Sequence, residues 1–522
     1  MKLPHTLTTD RAGGPGFAPA FVRANPCTST RVGLIRRLAF AAALFAGSIA
    51  SAQSSVSPSK PLTLDEAIKL ALQNNQRVKV SALSPQIARA NVLAEYGRFD
   101  PALAFRRSHG EAEAPGPVAT PLSRSLTKTD DYSLSLEGLT PWGMTYSLGG
   151  SANNRRQGVG AFVDNYVTFG GVDIRQPLLR GFGFGATLTG LRVAKASRGI
   201  SEWQHRQTVI DTVWNVILTF NGLQQARENL RISVLSRNNA AQLLDDNEKK
   251  LRVGATSESE VTQARARVAS REESILFADR SVRDFENQLR LLIGQTAFPV
   301  NGAPLETAVL DAAPDIAVDV AADLKTAYEL RSDYQAARLG VTIDRANHAF
   351  AQNQLLPRFD FVGSYGYNGV DPDFGAARKQ VRDRDARAYS AGVEVRIPLT
   401  FAEGRGRARA AKLNLRQSEE DLVRRESDIA LSVTTAAAQI ETAKQRVAVA
   451  RIGLDLAEQA LANEDKRFKA GTITTFFVLQ QQEILSGAQL SYARALADQR
   501  RAIANYEREL GTTLKRHNIV VE

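Results

Sequence analysis

Two very long helical stretches dominate the pattern of apolar and polar positions. From Arg192 to Leu251 the chain runs 60 residues without proline, about 90 Å at ~1.5 Å per residue. A comparable stretch runs from Arg405 to Lys469. Apolar residues return at coiled-coil spacing, as at Ile210, Val213, Trp214 and Ile217, and again at Ala488, Tyr492 and Ala495, with charges between. A globular domain is too small to bury a stripe of that length, so the pattern predicts helices lying against one another in an extended bundle or tube. Small residues at Ala436-Ala437-Ala438 and along 457–462 allow close axial approach.

Other segments alternate with period two. Tyr389, Ala391, Val393, Val395 and Ile397 point one way, and Ser390, Gly392, Glu394 and Arg396 the other. Phe359, Phe361, Tyr365 and Tyr367 oppose Asp360, Ser364 and Gly366 in the same manner. The strand from Tyr389 to Ile397 spans 9 residues, within the ~9–11 of a membrane-spanning barrel strand; half-buried strands of a soluble sandwich would alternate similarly. Further strand material at Tyr132–Gly138 and Thr145–Gly150 flanks a turn at Thr140-Pro141-Trp142-Gly143, giving at least four strands and at most six. Open sheet edges do not survive in lipid, so a barrel reading requires several chains to share one barrel.

The chain is also duplicated. Lys250-Leu251-Arg252-Val253-Gly254-Ala255-Thr256 answers Arg467-Phe468-Lys469-Ala470-Gly471-Thr472-Ile473, 217 positions on, and the same offset pairs Asp211 with Asp428 and Gln263 with Gln480. Val172-Asp173-Ile174-Arg175-Gln176-Pro177-Leu178 matches Val393-Glu394-Val395-Arg396-Ile397-Pro398-Leu399. Two copies, at 53–294 and 323–511, argue against a solenoid. The segment 295–322, with Pro299, Pro304 and Pro314, reads as a linker between them, and 512–522 as a tail.

At the N-terminus Arg31, Arg36 and Arg37 precede an apolar run from Leu38 to Ala50 that closes on Ala50-Ser51-Ala52 before Gln53. This reads as a secretory signal peptide behind an N-terminal extension, 1–52 in all, with the mature chain starting at Gln53. Cleavage would remove Cys27, the lone cysteine, and with it any disulfide. It would also lower the net charge from +11 to +6, because 1–52 carry six basic residues and one acid. The remaining basic residues are interleaved with acids, as around Arg265, Arg267, Glu272 and Glu273, which fits a solvated helix face rather than a nucleic-acid stripe.

With these features in order, the chain resembles the TolC family of outer-membrane efflux proteins from Leu62 to Leu514. The matching segments are Leu62-Thr63-Leu64-Asp65-Glu66-Ala67, Phe99-Asp100-Pro101-Ala102-Leu103, Arg175-Gln176-Pro177-Leu178-Leu179-Arg180-Gly181, and the glycine-bearing breaks at Gly254 and Gly471. The resemblance implies an α+β membrane protein in which a duplicated helix–strand–helix repeat builds a shared transmembrane β-barrel and a long periplasmic α-helical barrel in a homotrimer. It implies residence in the bacterial outer membrane, with extension into the periplasm. It further implies contact with outer-membrane lipid and docking to a periplasmic adaptor and an inner-membrane pump or secretion ATPase.

By the same resemblance the helix-hairpin tips, Val253-Gly254-Ala255 and Ala470-Gly471-Thr472, would meet the adaptor; plain helix termination explains those glycines equally. The family's aspartate ring maps onto Phe477 and Gln480, with Glu260 equivalent to Phe477 in the first copy. An apolar constriction at Phe477 is one expectation and ordinary packing of that ring the other. The histidines stand singly, no H-E-x-x-H or G-x-S-x-G occurs, and Ala186 breaks the glycine pattern of 181–185 as a nucleotide loop. That run is expected to be a flexible joint between strand and helix. No enzyme activity, metal, cofactor or nucleic-acid partner is expected; the rival to a duct is a structural or adhesive coiled-coil surface protein.

Overall fold

A computed structural model describes residues 61–114, 125–158, 162–295, 304–308, 310–311 and 313–521. The cleavage motif at Ala50, Ala52 and Gln53, Cys27 and Pro299 lie outside the described residues.

Thr63 opens α1 (Leu64–Asn74): its hydroxyl accepts from the Glu66 N–H, and the Glu66 carboxylate accepts from the Thr63 N–H at 3.0 Å. This capping box satisfies two of the orphan donors of the first turn. Asn75 then ends α1 and caps α2 (Gln76–Tyr96), its side chain accepting from the N–H groups of Arg77 and Val78. Four strands follow, β1 (Ala102–Ala114), β2 (Ser125–Leu139), β3 (Thr145–Gly158) and β4 (Tyr166–Pro177). The first repeat closes with α3 (Gly183–Thr187), α4 (Thr189–Arg252) and α5 (Glu258–Leu292). The second repeat is α6 (Val320–Leu330), α7 (Ser332–Asn353), β5 (Arg358–Asp371), α8 (Phe374–Asp383), β6 (Ala386–Arg396), α9 (Ala402–Lys469) and α10 (Thr475–Leu510), with α11 (Thr513–Arg516) after it.

Equivalent helices nearly match in length: 11 and 11 residues for α1 and α6, 21 and 22 for α2 and α7, 64 and 68 for α4 and α9, 35 and 36 for α5 and α10. The helix expected ahead of the strands is therefore two helices in each copy. In the second copy Arg331 stands at the break; its guanidinium donates to the Glu509 carboxylate at 2.6 Å, to Ser432 at 3.0 Å and to Asp333 at 2.9 Å. Those bonds fasten the break to α9 and α10.

The stripe of α4 is core. Ile210, Val213, Val216, Phe220 and Leu223 pack with Ala67 and Ile68 of α1, Leu289 of α5 and Leu514 of α11, each large side chain contributing about 1.5–3 kcal/mol by leaving water. On α9, Ile429, Val433, Ala436, Ala437 and Ile440 pack with Ala327 of α6 and with Tyr506 and Leu510 of α10. The described part of the linker straps this body: Leu305 donates its N–H to Glu286 at 3.1 Å, Gln224 donates to the Ala308 carbonyl at 2.9 Å, and Asp315 pairs with Lys444 at 2.7 Å. Helix α6 begins at Val320, three positions before the expected repeat boundary at 323.

All six strands form one antiparallel sheet in the order β1-β2-β3-β4-β5-β6, so the upper expectation of the strand count holds. The β4–β5 pairing, from Tyr166↔Asp371 to Pro177↔Asp360, joins the two repeats, and β1 and β6 are the open edges. The chain passes between sheet and helices at α2–β1, β4–α3, α7–β5 and β6–α9. These four crossings share one end of the sheet; the β5–β6 connection that holds α8 lies at the other. The glycine run 181–185, expected to be a flexible joint, is hydrogen-bonded on both sides. The Gly181 N–H donates to Asn353 Oδ1 at 2.7 Å and the Gly183 N–H to the Trp142 carbonyl at 3.0 Å.

Candidate functional site

Alternation splits the sheet into two chemically opposite faces. On one face Leu103, Leu136, Leu148, Val172, Tyr365 and Tyr389 stand in register as a single row across all six strands. Leu103 is 74% exposed and Tyr389 72%, with Phe105, Leu134, Val393 and Val395 also exposed beside them. On β5 the apolar positions of this face run from Phe359 to Tyr367, about 26 Å at ~3.3 Å per residue, the height of the ~25 Å lipid-facing band of an outer-membrane barrel. Beyond the band the same face turns polar, with His109, Asp130 and Asn154 in one register row.

The opposite face is hydrophilic. Arg175 bonds Asp360 at 3.1 Å and Glu394 at 2.6 Å, and Arg358 bonds Asp360 at 2.7 Å. Glu137, Ser147 and Asp173 align in register on the same side. An apolar sheet face covered only at its far end, by α8, fits hydrocarbon, and the charged face fits water.

The far end of the long helices carries the second group of candidate residues. Helix α4 ends at Arg252 with Val253 as its C-cap, after which Gly254 takes φ 72°, its N–H bonding the Leu251 carbonyl at 2.9 Å and the Ala255 N–H the Lys250 carbonyl at 2.8 Å. Helix α9 ends identically: Gly471 has φ 72°, its N–H bonding the Phe468 carbonyl at 3.0 Å, and the Thr472 N–H bonds the Arg467 carbonyl at 3.0 Å. Both are Schellman caps, which favour glycine because an L side chain strains the left-handed backbone. A Cβ at either glycine would meet open space, and Val253 is 78% exposed.

The two hairpins are tied together just inside these tips. Thr475 at the start of α10 lies 3.1 Å from Asn247 Oδ1 and 3.0 Å from the Glu260 carboxylate, which also accepts from Thr256 at 2.7 Å. Asn247 is fully buried. Glu260, expected at the periplasmic constriction, is held in this polar tie. Val478 and Leu479 are buried with Leu243 and Phe468, whereas Phe476 and Phe477 are 60% and 49% exposed and meet edge to face at 5.7 Å.

Gln480 lines a groove between α5 and α10 with Phe476 and Glu483, and Phe477 is not among the lining side chains. Gln480 and Phe476, four residues apart on one helix face, share that groove. Arg267, at 3.4 Å, and Arg271 hold Glu483 across that groove. Sequence reading missed this tie and the Asn247–Thr475 contact; the signals were an Arg pair at i,i+4 and a lone Asn in an apolar stripe. Among the described residues no group of three His, Cys or acidic side chains is placed to hold a metal ion, and no helix is long and apolar enough to cross a membrane.

Comparison with known proteins places this geometry in a family. The pyoverdine export outer membrane protein OpmQ of Pseudomonas putida is 28% identical over 324 residues, covering 59% of this chain and 63% of that relative. The chain is therefore aligned with less than two thirds of that relative's length. Among solved structures, the outer-membrane channel OprN superposes with a TM-score of 0.65 at 18% identity, covering 86% of this chain and 90% of its own. The CmeC outer membrane channel of Campylobacter jejuni gives 0.64 at 15%, covering 86% of each chain. VceC of Vibrio cholerae gives 0.63 at 16%, covering 86% of this chain and 96% of its own. At these identities the structures speak for the fold alone. The outer membrane efflux protein family itself matches residues 143–295 and 324–512, which take in β3 to α5 and run from within α6 through α10, and the chain belongs to that family.

Proposed function

We propose that the protein is the outer-membrane exit duct of a tripartite efflux or type I secretion system, conducting cargo passively from a periplasmic adaptor and inner-membrane pump or ATPase to the outside. The observation that carries this is a six-stranded sheet with one largely bare apolar face, one charged face and two open edges, standing on helices of 64 and 68 residues. Three chains close β1 against β6 of the next to give eighteen strands, within the ~16–18 of barrels that leave an aqueous channel. The long helices, about 100 Å at ~1.5 Å per residue, form the periplasmic tunnel. The linker lies on its outside.

Cross-linking in native outer membranes should give trimers, and the purified trimer should conduct ions in planar bilayers. Monomers and dimers alone would sink the shared barrel. A closed, non-conducting trimer would favour the adhesive coiled-coil reading.

The adaptor meets the tips at Val253-Gly254-Ala255 and Ala470-Gly471-Thr472, where the backbone is uncovered. Val253→Asp changes an exposed position, so the trimer should keep its thermal stability while adaptor retention falls roughly thirty-fold, the loss at an interface hot spot. Full retention by the variant would put the docking surface elsewhere.

A further inference from the structure

Helix α8 lies on the apolar side of the sheet. Thr168 and Gly170 of β4 stand on the face that carries Val172 and Ile174, and the Thr168 hydroxyl lies 3.1 Å from the Ala377 carbonyl of α8. The approach is close because Gly369 and Gly170 have no side chain: a Cβ at Gly369 would run into the Ala377 carbonyl, and one at Gly170 would sit 2.8 Å from Val381. Phe374 anchors the start of α8 against Tyr166, ring to ring at 5.6 Å.

Along the strands this is the boundary row, where the apolar band gives way to His109, Asp130 and Asn154. The height is that of lipid headgroups, on the end of the sheet away from the long helices. Beside α8 an apolar groove of about 340 Å³ opens on the same face, its lining including Phe105, Tyr132, Leu134, Ala152, Phe374 and Val381. Two cations bracket it. Arg378 lines the groove and is exposed, and Arg107 lies over the ring of Tyr132 at 5.5 Å.

Lys379 is exposed next to Arg378, and neither has an ion-pair partner among the described residues. Most acids of the segment are engaged: Asp373 accepts from the Ala376 N–H at 2.8 Å, Asp371 from the Asp373 N–H at 2.8 Å, and Asp383 pairs with Arg382 at 3.3 Å. Asp385 stands apart, next to β6.

We propose that this groove and the cations of α8 form a binding site for an acylated lipid with a phosphorylated headgroup in the outer leaflet, one acyl chain in the groove and the phosphate on Arg378 and Lys379. The proposal rests on the barrel reading, which sets the apolar face toward lipid. The chemistry is complementary on both counts: hydrocarbon against an uncovered apolar cleft, and phosphate against unpaired cations at headgroup height.

Native mass spectrometry of the protein released from detergent tests it with three probes: diphosphoryl lipid A, the same lipid with both phosphates removed, and the deacylated diphosphoryl disaccharide. The intact lipid should be retained most strongly. Arg378→Gln with Lys379→Gln should weaken it roughly twenty-five-fold, about five-fold for each cation at an anionic lipid surface, without changing single-channel conductance. Equal retention of the dephosphorylated lipid, or of the deacylated disaccharide, overturns the proposal, as does displacement by millimolar inorganic phosphate. A wild-type preparation that neither trimerises nor conducts refutes the duct instead, whatever lipid it holds.

Discussion

Leu148→Arg should abolish stable assembly in the outer membrane, while Ser147→Arg, one residue earlier, should leave assembly near wild type. Leu148 is 55% exposed in the middle of the apolar row, between Leu136 and Val172. An arginine facing lipid near the bilayer midplane costs ~2–4 kcal/mol, and a trimer bears that cost three times. Ser147 points to the other face between Glu137 and Asp173. An arginine there sits in water beside two carboxylates, worth about 0–1 kcal/mol. The measurement is the fraction of heat-modifiable trimer recovered from outer membranes. Equal damage from both substitutions would remove the assignment of faces, and greater damage from Ser147→Arg would reverse it.

The parts of this fold that sequence exposes are those whose signal is local or repeated. The capping box of Thr63 and Glu66 lies within four residues, and the cap glycines Gly254 and Gly471 recur at the duplication offset. The alternation of Phe359 to Tyr367 and of Tyr389 to Val395 is clear because both runs lie within the apolar band. Strand β1 hides for the converse reason. Its Arg107, His109 and Glu111 share a face with Leu103 and Phe105 but continue past the band, so the period-two contrast dissolves halfway along the strand.

Helix α8 spans 10 residues between strands, too short for a 3.6-residue period to stand out from a polar loop. Glu260 shows the other limit. Its partner Thr475 lies 215 positions away, and a contact between two hairpins leaves no local trace in either. Alignment of the two copies placed Glu260 opposite Phe477, and the structure gives the two different surroundings.

Phe477→Ala should raise single-channel conductance several-fold while costing the trimer little thermal stability. In the chain itself Phe477 is 49% exposed, while Val478 and Leu479 beside it are 1% and 7% exposed and fill the core between the hairpins. Truncating Phe477 therefore takes nothing from that buried cluster and gives up its edge-to-face contact with Phe476, a cost of about 0.5–1.5 kcal/mol. Val478→Ala, by contrast, opens a buried cavity and should cost roughly 2 kcal/mol.

In a trimer the Phe477 ring occurs three times around the axis, and an apolar ring narrow enough to dewet blocks ions without a charge. Gln480 faces the α5–α10 groove instead, so Gln480→Ala should change conductance less than Phe477→Ala. The ion pairs of Glu483 with Arg267 and Arg271 hold the two hairpins across that groove. Glu483→Gln should then add to the effect of Phe477→Ala, since one widens the ring and the other frees the helices that carry it. A Phe477→Ala trimer that melts about 3–5 kcal/mol less stable, with no gain in conductance, would place the ring in a seam between neighbouring chains and leave the periplasmic constriction to other residues.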